Sequence, residues 1–486
     1  MILPFGEFTP DTSDFGSTQT AVLLNAVPRQ DGYGPFPTFT AYSAALAGSC
    51  RGAFKAINTD GTVTIFAATA TKIYKLNNTN QTWSDVSKGA GSYTSVSSGD
   101  NWQFIQYINY VIAVQGNTVP QYFDLTGSSA FADLAGSPPQ AKYAAVIGDF
   151  VVLTGLTSNV YRIQWSALGD PTGWTAGVNS SDFQDLPDGG IVRGVAGGEY
   201  GNIFQDTAIR RLIYAPGSAV IFQIERISDD RGLYAPYSLI RSGDQIFFIG
   251  AQGFMQMAPT GYPVPIGKEK IDHTFFGDLD SANLQFVMGA SNPRHHQVYW
   301  AYKSNSGAAG LFDKLIIYDY TLKRFAPASF SGEWLFSLSQ PGLTLENLDN
   351  ISSSLDALIP SLDSFATSVT PEIGAFDSTN KLGFFRGAAA EAILETAAQE
   401  VTPGKRVFVR GFRPISDAPT VYGSIGKRER LDATETLTTE QAMDSRGFVP
   451  QRASTRYARG RIRIPAGTIW SFATGIEPDI GQEGAR

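Results

Sequence analysis

The sequence predicts an all-β fold: an irregular β-propeller of about six blades followed by a C-terminal β-rich platform domain. Three observations carry that expectation. Short runs of β-forming residues recur from about residue 60 to 340, each bounded by turn residues. The turns fall near residues 71, 109, 148, 200, 243 and 294, in steps of 38, 39, 52, 43 and 51. Such steps match the roughly 40–50 residues of a four-stranded blade. Charged residues make up 17% of the chain, with 50 Gly and 26 Pro. That composition argues against coiled coil and against charge-rich disorder. Greek-key sandwiches would also use the strands, but they give no reason for a near-constant spacing. Blades do, because a small sheet cannot bury both faces until neighbours stack on it.

In chain order, residues 1–40 read as an irregular arm of Pro, Gly, Thr and Phe with short strands, packing on the propeller or the platform. Residues 41–342 are the expected propeller. Its clearest strands are 62–68 and 72–76, 102–107 and 110–115, 144–147 and 150–154, 237–241 and 245–249, and 296–302. Residues 343–371 form a linker in which Leu-Asp recurs at Leu348, Leu355 and Leu362. A seven-residue spacing suits one face of a helix, and Pro360 opposes its continuation. The expected role of these leucines is to dock on another subunit. Residues 372–486 are the platform, with strands at 406–412, 420–425 and 457–464. By propensity 388–400 is helical. In 457–464, Arg459, Arg461 and Arg463 alternate with Gly460, Ile462 and Ile464, which places three arginines on one strand face.

Length and charge bound the function. At 486 residues the chain allows one large domain or two to three ordinary ones. The net charge of −8 disfavours a basic nucleic-acid binder. The charge is split: 403–463 holds 13 Lys/Arg against 6 Asp/Glu, so +7, and the remainder carries −15. Two surfaces with different contacts are expected. One cysteine, Cys50, forbids an internal disulfide framework and a Cys-rich zinc site. The first residues lack a basic segment and a continuous apolar stretch, so no signal peptide is expected. No apolar run reaches the ~18–20 residues of a membrane helix.

Motifs with chemistry are weak. Residues 261–268 imitate a P-loop, but the spacing is one residue too long and two prolines remove phosphate-binding donors. Gly48-Ser49-Cys50-Arg51-Gly52 imitates a nucleophile elbow, without the helix it needs. A small half-buried cysteine is the better expectation. His295 and His296 are adjacent and would point to opposite faces of a strand, and His273 is isolated. Asp182, Asp185 and Asp188 miss the calcium-loop spacing. No catalytic, cofactor-binding or metal-binding residue is assigned, and the chain is not expected to be an enzyme.

Several stretches nevertheless resemble one family. These are Trp174-Thr175-Ala176-Gly177, residues 181–203, Ile209-Arg210-Arg211, the Leu-Asp repeat at 348–363, and the ending from Arg456 through Pro465 with Trp470, Gly475 and Gly484-Ala485-Arg486. They are similar to the tail nozzle, or packaged-DNA stabilisation, proteins of short-tailed bacteriophages. The pattern is diffuse and covers most of the chain from about residue 100. The resemblance implies a structural virion protein of the tail, assembled in the host cytoplasm. It implies a ring of six copies that extends the portal–adaptor DNA channel, retains the packaged genome and guides its ejection. Implied partners are the adaptor, tail fibre or spike proteins, and double-stranded DNA passing through the lumen without specific binding. It also implies that 388–400 is strand. An acidic body suits a lumen that must not hold DNA, since each neutralised phosphate adds affinity. Arg459, Arg461 and Arg463 would then face the adaptor or fibres. The competing function is a propeller glycan hydrolase or depolymerase of a phage tail, which needs two carboxylates about 5–10 Å apart in the central pocket.

Overall fold

Five four-stranded antiparallel sheets succeed one another along the chain. The first comprises Ala53–Ile57, Val63–Ala68, Ile73–Leu76 and Trp83–Asp85. The next four begin at the inner strands Gln103–Tyr107, Ala141–Ile147, Val192–Ala196 and Ile240–Ser242. The computed structural model describes residues 2–13, 15–218, 220–339, 371–400 and 405–482. Leu348, Leu355 and Leu362, with the helix expected around them, lie outside the described residues.

A seven-stranded sheet follows and contains two blades. Met288–Asn292, Gln297–Tyr302, Phe312–Asp319 and the first half of Arg324–Ser339 form the sixth. At Gly332 the long last strand changes partner. Its second half, from Trp334, pairs with Pro371–Asp377, which pairs with Lys381–Ala389. Lys381–Ala389 in turn pairs with Pro37–Ala45 from the start of the chain. Among the described residues seven blades therefore surround the axis, one beyond the six turns visible in the sequence. The seventh hid from the spacing because its strands come from both ends of the chain. The turn near 71 also differs from the rest: it joins the second and third strands of its blade, whereas the others join the first and second.

The second strand of each blade is buried on both faces, as in Val63–Ala68, Phe150–Leu156 and Gln297–Tyr302. Such strands read as continuous apolar runs because sheets press on them from both sides. The aromatic load fills the gaps between blades. Phe66 meets Phe123 and Phe131, Phe150 and Trp165 meet Phe222, and Phe204 meets Phe248.

The platform is a sandwich of two sheets. One holds Leu3–Pro4, Ala26–Pro28, Tyr33–Pro35, Val407–Ser416, Val449–Thr455 and Ala473–Gln482. The other is built on Tyr457–Ile464, flanked by Ala392–Glu395, Gln399–Glu400 and Tyr422–Arg428. Residues 388–400 are thus extended, against their helix propensity. The sheets approach so closely that a Cβ on Gly460 would lie 2.0 Å from Ile476 Cδ1. The boundary expected at 372 falls inside the seventh blade, so Pro371–Asp377 and Lys381–Ala389 belong to the propeller and the sandwich begins with Ala392–Glu395. The strand 237–241 is also shorter than expected, since Pro236–Ser238 forms a 3-10 turn ahead of it.

One apolar core spans both parts. Val407, Phe412, Ile462 and Ile476 of the sandwich join Phe247, Phe254, Trp300 and Phe325 of blades five and six. Phe5, Phe8 and Tyr33 of the arm fill the seam between them.

Candidate functional site

The inner strands of all seven blades converge on an axial cavity of about 500 Å3. Its walls carry Trp102, Phe104, Tyr143, Tyr237, Trp334 and Phe336. Gly197 lets two inner strands approach, because a Cβ there would lie 2.2 Å from the Val146 carbonyl oxygen. Tyr237 lies deep in this wall: its hydroxyl accepts from Asn101 N at 2.7 Å. Burial raises the phenols of Tyr237 and Tyr143 well above their ordinary value. Among the described residues no Asp or Glu lines the cavity, and its one charged lining residue is Arg241. The two carboxylates that glycoside hydrolysis requires are not among the residues lining this cavity; Asp100 and Asp206 lie near its wall, where their charge acts on Tyr143.

The alternation in Tyr457–Ile464 is as expected: Gly460, Ile462 and Ile464 are buried, and the arginines share the other face. The structure gives those arginines partners within the chain. Arg459 meets Glu395 at 3.1 Å and Glu435 at 2.7 Å. Arg461 meets Glu395 at 3.3 Å. Arg463 meets Glu391 at 3.0 Å and Glu440 at 2.8 Å, and its guanidinium lies 4.6 Å from the Tyr422 ring centroid. Glu395 ends a neighbouring strand, Glu391 immediately precedes that strand, and Glu435 and Glu440 lie beyond Tyr422–Arg428, so strand spacing alone could not reveal them. Glu395 is 3% exposed, and burial raises its carboxyl despite both arginines. Three arginines and four glutamates leave this ladder at −1 rather than basic.

The weaker motifs resolve into structure. Cys50 is fully buried, more than expected, and burial raises its thiol well above the ordinary range. Its backbone N donates to Glu333 Oε2 at 2.8 Å. His295 closes a 3-10 turn and His296 sits in the left-handed region at φ 55°, so neither is on a strand, contrary to the run expected from 296. Asp185 receives Arg162 at 2.6 and 2.9 Å, and Asp188 receives both Arg210 and Arg226. Among the described residues no group of three or more His, Cys, Asp or Glu is placed to hold a metal ion. Among them, too, no helix is long and apolar enough to cross a membrane.

Sequence reasoning missed the fastening of the arm. Asp11 accepts from His273 N at 2.7 Å and Thr274 N at 2.8 Å, capping the short helix Asp272–Asp278 from a remote part of the chain. Glu7 meets Lys270 at 2.7 Å. Beside them Asp272 is buried, its Oδ1 accepting from Phe254 N at 3.0 Å. Burial and then the charge of Asp11 push its carboxyl up to about 6. Asp11 lies 262 residues from His273 along the chain, so no local pattern pairs the two.

No protein-family profile matches the chain. No curated protein sequence matches it either. Several solved structures are similar to it at low identity. The extracellular domain of a hybrid two component system from B. thetaiotaomicron has a TM-score of 0.41 at 10% identity, over 78% of this chain and 44% of that one. The computationally designed Ika8 protein has a TM-score of 0.37 at 9% identity, over 73% of this chain and 100% of that one. YCF48 bound to D1 peptide has a TM-score of 0.32 at 12% identity, over 63% of this chain and 87% of that one. The chain spans less than half the length of the first of these.

Proposed function

We propose that this chain is a structural component of a bacteriophage tail, a nozzle subunit whose copies form a ring below the portal and adaptor. The reading joins the family resemblance of residues 174–211 and 456–475 to one observation, the composition of the propeller axis. The axial cavity is walled by Trp102, Tyr237 and Trp334 and, among the described residues, no carboxylate lines it. No acid pair of the kind a propeller hydrolase uses lines that cavity among the described residues, and a cavity of about 500 Å3 is too small to pass a duplex. DNA would run between copies, along the axis of the ring. The single core shared by propeller and sandwich supports this role, since a conduit under load needs parts that do not hinge. Ring closure follows from head-to-tail contacts that return on themselves, and six copies is the number the resemblance implies.

The test is electron microscopy of the purified chain mixed with portal and adaptor. Rings of six copies capping the adaptor would support the reading. A chain that never joins portal–adaptor complexes, or that turns over a glycan as a single copy, would sink it.

A further inference from the structure

The inner and second strands of blades two, three and five are joined by two-residue turns at Ile108-Asn109, Gly148-Asp149 and Gly243-Asp244. The first residue of each has positive φ, at 52°, 53° and 58°. Two of the three positions hold glycine, the residue suited to that region. The third holds Ile108, a β-branched residue that resists it, and the residue is 70% exposed. Burial of that side chain therefore does not compensate for the conformation. Gln106 fixes it instead, donating to the carbonyl oxygens of Ile108 at 2.8 Å and Ile57 at 2.7 Å, and accepting from Ile57 N at 2.9 Å. Ile57 is 46% exposed. Gln106 thus ties the backbones of two exposed isoleucines together at the turn end of blades one and two, an apolar knob. Exposed acids on the turns of that same face, Asp60, Asp149, Glu199 and Asp244, carry no ion pair among the described residues.

The sandwich carries the complement. An open groove of about 750 Å3 lies along Val407–Ser416 and Val449–Thr455. Phe408 and Pro450 give it an apolar floor, and Arg410 and Arg452 flank it. Arg410 is met only at 3.6 Å, by Asp479, and Arg452 has no acidic partner among the described residues. The sandwich packs on blades five and six, whereas Ile108 is on blade two.

We infer that the knob of one copy seats in the groove of the next: Ile57 and Ile108 against Phe408 and Pro450, with Asp60 and Asp149 facing Arg410 and Arg452. The occupant is a second copy of this chain because its own surface supplies both the exposed apolar side chains and the charge opposite to Arg410 and Arg452. The contact is head to tail, so it generates a ring if the rotation closes and a filament if it does not. The inference deepens the nozzle reading and rests on it for closure.

Two measurements test it. Cys50 is buried, so the chain presents no other thiol. An Ile108→Cys chain mixed with a Pro450→Cys chain under mild oxidant should give a disulfide-linked pair, and Ile108→Cys alone should not. Sedimentation velocity should show low-salt assembly of the wild type, at least tenfold weaker assembly of Ile108→Gly with an undiminished melting temperature, and restoration of Asp149→Arg by Arg452→Asp. Wild-type assembly unaffected by Ile108→Gly overturns this contact and leaves the ring reading standing. Cross-linking of a chain that carries both Ile108→Cys and Pro450→Cys into open filaments keeps the contact and removes the ring. A wild type that stays monomeric at 100 µM in low salt overturns this contact, and the ring reading then stands or falls on the images with portal and adaptor.

Discussion

Phe39 stands opposite Phe385 across the last strand pair of the seventh blade, and both rings reach Phe330 of the sixth. This pairing joins the start of the chain to its later half and makes the propeller a closed ring. At the inner end of the same blade, Lys55 Nζ donates to Ser339 Oγ at 2.5 Å and ties the seventh blade to the first.

The closure is sensitive to a single methyl group. A Cβ on Gly383 would lie 2.2 Å from the Thr40 carbonyl oxygen. Gly383→Ala should therefore push Pro37–Ala45 off the sheet, at a cost of about 2–3 kcal/mol for overpacking against backbone. Limited proteolysis should then release residues preceding 46, with an earlier thermal transition. An unchanged digestion pattern would refute the strand's sealing role.

The Arg–Glu ladder is expected to act first on stability. Glu395→Ala leaves Arg459 and Arg461 without their shared buried acceptor. Removing one member of a buried pair costs about 3–5 kcal/mol. Reversing Arg459, Arg461 and Arg463 to Glu together should unfold the sandwich, so loss of adaptor attachment in that variant would report folding. Circular dichroism beside the binding assay separates the two, and a fully folded triple reversal would restore the outward-facing role.

Asp272 makes stability depend on pH. Its folded value of about 6 exceeds the ordinary 3.8, so the folded chain binds this proton more tightly than the unfolded chain. Stability attributable to this group is highest below about pH 4 and is lost as pH rises through 6. Asp11 is its charged neighbour and His273 is adjacent in sequence. Asp272→Asn should gain about 1–2 kcal/mol over wild type at pH 8, with the gain shrinking towards pH 4. Urea midpoints at four pH values measure it, and parallel curves for the two proteins would contradict it.

Ile108→Gly should stabilise the isolated chain. Relief of a left-handed β-branched residue is worth about 1–3 kcal/mol, partly offset by the entropy of glycine. A net gain of about 1 kcal/mol in the denaturant midpoint is expected for the monomer. A loss would mean that Ile108 is held by contacts inside the chain.

The fold class was legible because its cause is local. Apolar runs such as Val63–Ala68 and Phe150–Leu156 sit beside turn residues such as Gly148-Asp149, and blade stacking requires those runs to be buried on both faces. Alternation in Tyr457–Ile464 likewise places three arginines on one face through the two-residue period of a strand. Strands, turns, their rhythm and the split of charge are all readable from residue order. Tertiary structure alone decided that Pro37–Ala45 completes a blade begun at Trp334, that the arginines of 459–463 are met by Glu391, Glu395, Glu435 and Glu440, and that Asp11 caps a helix beginning at Asp272. The reason is physical: local propensity and side-chain period act over a few residues, whereas strand closure, ion pairing and burial depend on which distant segments the folded chain brings within a few ångströms.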